Sequence, residues 1–121
     1  MVAHAREAAP AECCGLLLGR GDAVVEAVRA RNIAGVATRF EVDPRDHIDA
    51  RRLARQRGLD VVGFYHSHPH SAAVPSETDL AEAGYDDHLY AIVSLADDAP
   101  NVALFHLISR SFLQVTFVTV A

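Results

Sequence analysis

The chain contains no lysine: all 11 of its basic residues are arginine, which excludes any mechanism built on a Schiff-base lysine or a serine–lysine dyad. No apolar run approaches the ~20 residues that cross a bilayer, and Met1 to Pro10 has neither the basic start nor the apolar stretch of a secretory signal. A cytoplasmic protein with no membrane partner is therefore expected. Positive charge is also scarce. The formal net charge is -5 with both signs interspersed, which leaves no electrostatic footprint for a phosphate backbone and disfavours a nucleic-acid partner. Only two cysteines are present, Cys13 and Cys14, and because they are adjacent they cannot staple distant segments. A reducing compartment would keep them as thiols, and both are read as small buried hydrophobes in a strand rather than as nucleophiles.

What is present fits one domain spanning residues 1–121, since a chain of 121 residues that is 50% hydrophobic can bury roughly two-thirds of its unfolded surface around a single core. Ala3 to Ala9 has helical composition, ended by Pro10. Cys13 to Gly19 is an apolar run of strand length, and Arg20-Gly21-Asp22 has the turn chemistry to fold it back as a hairpin on Ala23 to Ala30. Asn32 to Ala37 reads as loop and Arg39 to Val42 as a short extended segment. Asp43-Pro44 supplies an N-cap and a first-turn proline, opening an arginine-rich helix that should stop at Gly58. Its Arg51, Arg52, Arg55 and Arg57 are read as a solvated helix face.

Val61 to His68 looks like a buried strand, Pro69 to Pro75 like a loop, and Ser76 opens a further helix expected to close at Gly84. Three more β-rich runs follow at Leu89 to Leu95, Val102 to Ile108 and Phe112 to Val120. Neither an internal repeat nor a low-complexity segment interrupts this order. The mixture of hairpins and helices predicts a mixed α+β fold, a mixed β-sheet with helices packed on it.

His66 and His68 lie two apart on the predicted strand, so both imidazoles project from one face and can converge on an ion. Alone that pair is a weak signal, because histidines also sit satisfied in cores or exposed at strand ends. The continuation His-x-His-x7-Ser-x-x-Asp, ending at Ser76 and Asp79, is far more specific. Two histidines and one aspartate leave one tetrahedral position open, the composition of a catalytic rather than a structural zinc site. Ser76 and Asp79 have a competing reading as the capping box of a helix, and the two readings are compatible, since a helix start after a strand and loop can point Asp79 inward.

At these residues the chain resembles a known family. Glu12-Cys13-Cys14-Gly15-Leu16-Leu17-Leu18-Gly19, Gly63-Phe64-Tyr65-His66-Ser67-His68-Pro69 and Pro75-Ser76-Glu77-Thr78-Asp79 resemble the JAMM/MPN metallopeptidases, above all their small single-domain bacterial and archaeal members. The similarity covers nearly the whole chain. It implies a cytidine-deaminase-like fold, a mixed sheet sandwiched by helices. It also implies Zn2+ held by His66, His68 and Asp79, with Glu12 as the acid/base that activates water and Ser76 as the donor that stabilises the oxyanion. The segment ahead of His4 is short by comparison, so the natural start is expected either upstream or in a shortened first helix.

The substrates implied by the resemblance are amide bonds formed by the C-terminal glycine of ubiquitin-like proteins, with a sulfur-carrier protein ending in Gly-Gly as the preferred class. Little room exists between Asp79 and Tyr90 for the insertions with which deubiquitinases of this type hold a second ubiquitin. The alternatives are a deubiquitinase-like isopeptidase and a non-catalytic MPN scaffold that only docks partners. Such scaffolds typically lack the glutamate or the histidines, whereas all five positions are present here. A zinc deaminase would need His-x-Glu followed by Pro-Cys-x-x-Cys, which is absent. A RadC-like domain shares His-x-His-Pro, but the acidic charge and the Glu12 to Gly19 segment favour the peptidase branch. His70 matches no ligand of the family, and His4, His47, His88 and His106 are read as surface or partly buried residues. Oligomeric state is left open, a homodimer included.

Overall fold

In the computed structural model, which describes residues 1–120, the elements in chain order are α1 (Val2–Ala8), β1 (Cys14–Arg20), β2 (Ala23–Ala30), α2 (Pro44–Gln56), β3 (Asp60–His68), α3 (Glu77–Glu82), β4 (Leu89–Ser94), β5 (Asn101–Ile108) and β6 (Ser111–Val115). The six strands form one mixed sheet in the order β2-β1-β3-β4-β5-β6. β3 and β4 are parallel, and every other neighbouring pair is antiparallel. A parallel pair needs a crossover, and here the crossover carries α3.

Successive strand residues face opposite sides of a sheet. On β1, Leu16 and Leu18 therefore pack with Ala50 and Ala54 of α2, while Leu17, together with Cys13 just ahead of the strand, packs with Ala5 of α1. The sheet is thus covered by α1 on one face and α2 on the other, as expected from the sequence. Gly15 has a packing reason, because a Cβ there would come within 2.1 Å of the Tyr65 ring. Helix α2 starts at the Asp43 cap, whose carboxylate accepts from the Arg45 N–H. It ends as a Schellman motif: Gly58 adopts φ +70°, its N–H donates to Arg55 O, and the Leu59 N–H donates to Ala54 O. Of the arginines expected to form a solvated face, Arg52, Arg55 and Arg57 are exposed, whereas Arg51 is half-buried against the Tyr85 ring.

Helix α3 ends at Glu82 with Ala83 as its C-cap and Gly84 directly after, as expected, and the Arg110 guanidinium donates to the terminal carbonyls of Leu80 and Ala83. One boundary departs from expectation. The last strand stops at Val115 rather than Val120, since its ladder on β5 runs only from Ile108↔Ser111 to Leu104↔Val115. The residues beyond, Thr116 to Val120, are exposed. β-propensity is realised only where a strand finds a paired edge and a surface to bury.

Candidate active site

The site grows from the end of β3. His66 and His68, two apart, project from the same face as Phe64 and are both buried. Along the β1–β3 ladder Cys14 pairs with His66, so Glu12, two residues ahead of β1, comes beside His68, two residues further along β3. Ser67, facing the other way, locks this end of the ladder: its Oγ accepts from the Cys13 N–H at 2.8 Å and its N–H donates to Cys13 O at 3.1 Å.

Asp79 arrives from the crossover. Ser76 is the N-cap of α3, with Oγ accepting from the Asp79 N–H at 3.0 Å, and the Asp79 carboxylate accepts from the Ser76 N–H at 2.8 Å. The same carboxylate oxygen points at both histidines. The capping box and the inward-facing carboxylate are thus one arrangement.

Three atoms converge. His66 Nε2 lies 3.1 Å from His68 Nε2 and 3.2 Å from Asp79 Oδ2, and His68 Nε2 lies 3.1 Å from that oxygen. Ligands at 2.0–2.1 Å from a tetrahedral zinc lie about 3.3–3.4 Å apart, so this nearly equilateral triangle fits one face of a zinc tetrahedron. The tautomer also fits. Ala72 O can only accept, so His68 Nδ1 donates to it at 2.9 Å and leaves Nε2 as the nitrogen facing the site. His66 is held by the Phe40 ring, stacked on it at 4.3 Å between centroids. His70, by contrast, is exposed and outside the triangle.

The electrostatics separate the roles. Burial holds the His66 imidazole below its ordinary pKa, favouring the neutral ring that a metal requires. Burial also opposes protonation of His68, but Asp79, the Ala72 carbonyl and Glu12 outweigh it and raise its pKa. For Asp79, burial works against ionisation, yet the two imidazoles and the Ser76 N–H hold the carboxyl far below the usual carboxylate range. Burial pushes the Glu12 carboxyl up to about 7, with His68 opposing the rise and Asp79 and Glu82 adding to it. Two carboxyls with oppositely displaced pKa values within one cleft are a frequent mark of divided chemical labour. The cysteines are spectators: both are buried, and burial raises the Cys14 thiol to about 12.

The cleft in front of the triangle has a volume of about 490 Å³ and is walled by Glu12, Arg39, His68, Ser76, Asp79 and Glu82 among others. A second cavity of about 580 Å³, which shares Phe40 and Asp79 with the first, is lined by Phe64, Tyr85, Tyr90 and Phe112 and reaches His66.

Residues 1–108 match the family model for prokaryotic homologs of the JAB domain. The chain belongs to this JAMM/MPN family. As a JAMM peptidase it is a hydrolase. It is similar to the desampylase of Haloferax volcanii, with 41% identity over 101 residues covering 78% of this chain and 73% of that protein. It is also similar to the CysO-cysteine peptidase of Mycobacterium tuberculosis, with 33% identity over 99 residues covering 80% of this chain and 68% of that one. Among solved structures, protein DSY2949 from Desulfitobacterium hafniense superposes with a TM-score of 0.88 at 33% identity, over 98% of this chain and 84% of that chain.

Within this JAMM domain, sequence reasoning placed a loop at Asn32 to Ala37 but missed that it and the segment after it border the site. Asn32 organises it: the side-chain amide donates to Glu12 O at 2.9 Å and to Arg39 O at 3.0 Å, while its oxygen accepts from the N–H groups of Ala34 and Glu41. The Glu12 N–H donates to Ala37 O. One asparagine thus ties the start of β1 to the segment carrying Arg39 and Phe40. An asparagine two residues after a strand was the available signal, but its long-range partners have no trace in local sequence.

The raised Glu12 pKa has a consequence for stability. Between its ordinary 4.5 and about 7 the folded protein holds a proton that the unfolded chain has released, so the Glu12 contribution to stability falls as pH rises through that window. In metal-free protein, Glu12→Gln should therefore become more stable than the parent as pH rises through that range. The difference should vanish below the window. Urea titrations at about pH 4 and about pH 8 read this directly, and a pH-independent difference would mean that the Glu12 carboxyl is solvated.

Proposed function

We propose that this JAMM domain is a zinc-dependent peptidase that hydrolyses the amide bond after the C-terminal glycine of a ubiquitin-like or sulfur-carrier protein. The observation that carries this reading is the triangle of His66 Nε2, His68 Nε2 and Asp79 Oδ2, with Glu12 lining the same cleft just ahead of the neighbouring strand β1. A zinc ion held by those three atoms would supply a Lewis acid for the scissile carbonyl and lower the pKa of water toward neutrality.

Glu12 is no part of the triangle and stands free to move a proton. Its carboxylate takes the proton from the attacking water, and its carboxylic acid returns that proton to the leaving nitrogen. With its carboxyl already raised by burial, Glu12 is suited to both halves of that cycle near neutral pH. Ser76 uses its oxygen lone pair to cap Asp79, which leaves the hydroxyl proton to donate to the developing oxyanion. Asp79 and Ala72 orient the imidazoles.

The names of the relatives support the substrate class, since one is a desampylase and another a CysO-cysteine peptidase. A tail without side chains can lie close to backbone walls, so Gly-Gly suits a confined cleft. The test is to incubate the zinc-loaded protein with its host's sulfur carriers, each bearing a C-terminal extension, and to follow trimming by mass spectrometry. Release of the extension directly after the terminal glycine is expected. Replacing the penultimate glycine by a bulky residue should slow it strongly. Equal rates for the two carriers would instead indicate a general peptidase.

A further inference from the structure

Arg39 and Glu82 form an ion pair, and both line the cleft together with Glu12, His68, Ser76 and Asp79. Each gets there for a separate reason. Glu82 follows Asp79 by three positions on α3, so it lies on the same helix face. Arg39 is held over the site by Asn32, which binds its carbonyl, and by its neighbour Phe40, stacked on His66.

Among the described residues Arg39 is the single arginine lining the cleft, and the chain has no lysine. The cleft's carboxylates are three: Glu12, Asp79 and Glu82. A further anion entering such a cleft meets repulsion from the ionised carboxylates and has one permanent cation to bind. The side chains of the Arg39–Glu82 pair are 52% and 40% exposed, and an ion pair so open to water holds its partners weakly. Glu82 can therefore be exchanged for a better-placed carboxylate.

We propose that Arg39 selects the leaving group by binding the free α-carboxylate of a single amino acid joined through its nitrogen to the carrier's terminal glycine, a place that Glu82 fills in the free enzyme. This rests on the proposed peptidase reading. Arg39 takes no part in the bond changes: water adds to the carbonyl, the C–N bond breaks, and the amino acid departs with its amine protonated. The planar guanidinium matches a carboxylate in two parallel hydrogen bonds, which a lysine would not reproduce. A lysine side chain linked within another protein has no free carboxylate near the scissile bond, so Arg39 contributes nothing to such a conjugate.

The experiment uses a host sulfur carrier ending in Gly-Gly-Ala, prepared as the free acid and as the C-terminal amide. The zinc-loaded wild type should favour the acid about tenfold in kcat/KM, expressed in KM, as a charge-assisted hydrogen bond warrants. Arg39→Gln should bring the acid-to-amide ratio near one, Arg39→Lys should restore part of it, and Glu82→Gln should increase it. Binding of both forms to Glu12→Gln protein should show the same preference without turnover. A merely structural ion pair would lower both substrates alike and leave the ratio intact. Should Arg39→Gln fail to fold, the wild-type ratio and the Glu82→Gln ratio decide. Equal cleavage of acid and amide by the wild type, with hydrolysis still after the glycine, overturns the role of Arg39 and leaves the peptidase reading standing. Cleavage of neither overturns both.

Discussion

Glu12→Gln should retain its zinc and lose at least a hundredfold in turnover. General acid–base groups contribute about 10²–10⁴-fold, and Glu12 is the group beside the triangle without a ligand's place in it. The substitution keeps size and hydrogen-bonding capacity, and the two backbone hydrogen bonds that anchor the residue, from its N–H to Ala37 O and from Asn32 Nδ2 to its carbonyl, do not involve the side chain. Fold and metal content should therefore persist while proton transfer fails. Zinc content and turnover measured on one preparation make the test clean: full zinc with near-normal turnover would mean that another group activates the water.

His68→Ala should lose zinc altogether under conditions in which the parent retains one ion per chain. Loss of a hydrogen-bonding partner behind a ligand already costs about 10–100-fold in metal affinity, so removal of the ligand itself should exceed ~100-fold. His68 is the corner shared by two edges of the triangle and is held there from behind by Ala72 O. Elemental analysis after dialysis against a chelator reads the loss. Zinc should also raise the melting temperature of the parent and leave that of the variant unmoved, because a ligand stabilises only the state that binds it. Wild-type zinc content in His68→Ala would refute the ligand assignment. Ser76→Ala is a less direct probe of oxyanion binding, since it also removes the cap of α3, worth about 1 kcal/mol, and so loosens the Asp79 that the cap positions.

Much of the fold was legible because its signals are local. The Asp43-Pro44 start, the Gly58 stop and the Arg20-Gly21-Asp22 turn each follow from the backbone preferences of a few residues, and each is realised. The one misplaced boundary falls where a distant segment decides: the end of β6 depends on where its pairing to β5 runs out.

The sequence by itself determined the donor set. His-x-His on a strand must present two imidazoles to one face, and Ser-x-x-Asp at a helix start must cap that start, because both follow from backbone periodicity. Tertiary structure alone decided the rest: that the Asp79 carboxylate turns to within 3.2 Å of both rings, that the antiparallel register sets Glu12 beside His68, and that Asn32 carries Arg39 and Phe40 over the cleft. These are meetings of segments far apart in the chain. Their geometry is set by sheet register and by buried hydrogen bonds, quantities that exist only once the chain has folded.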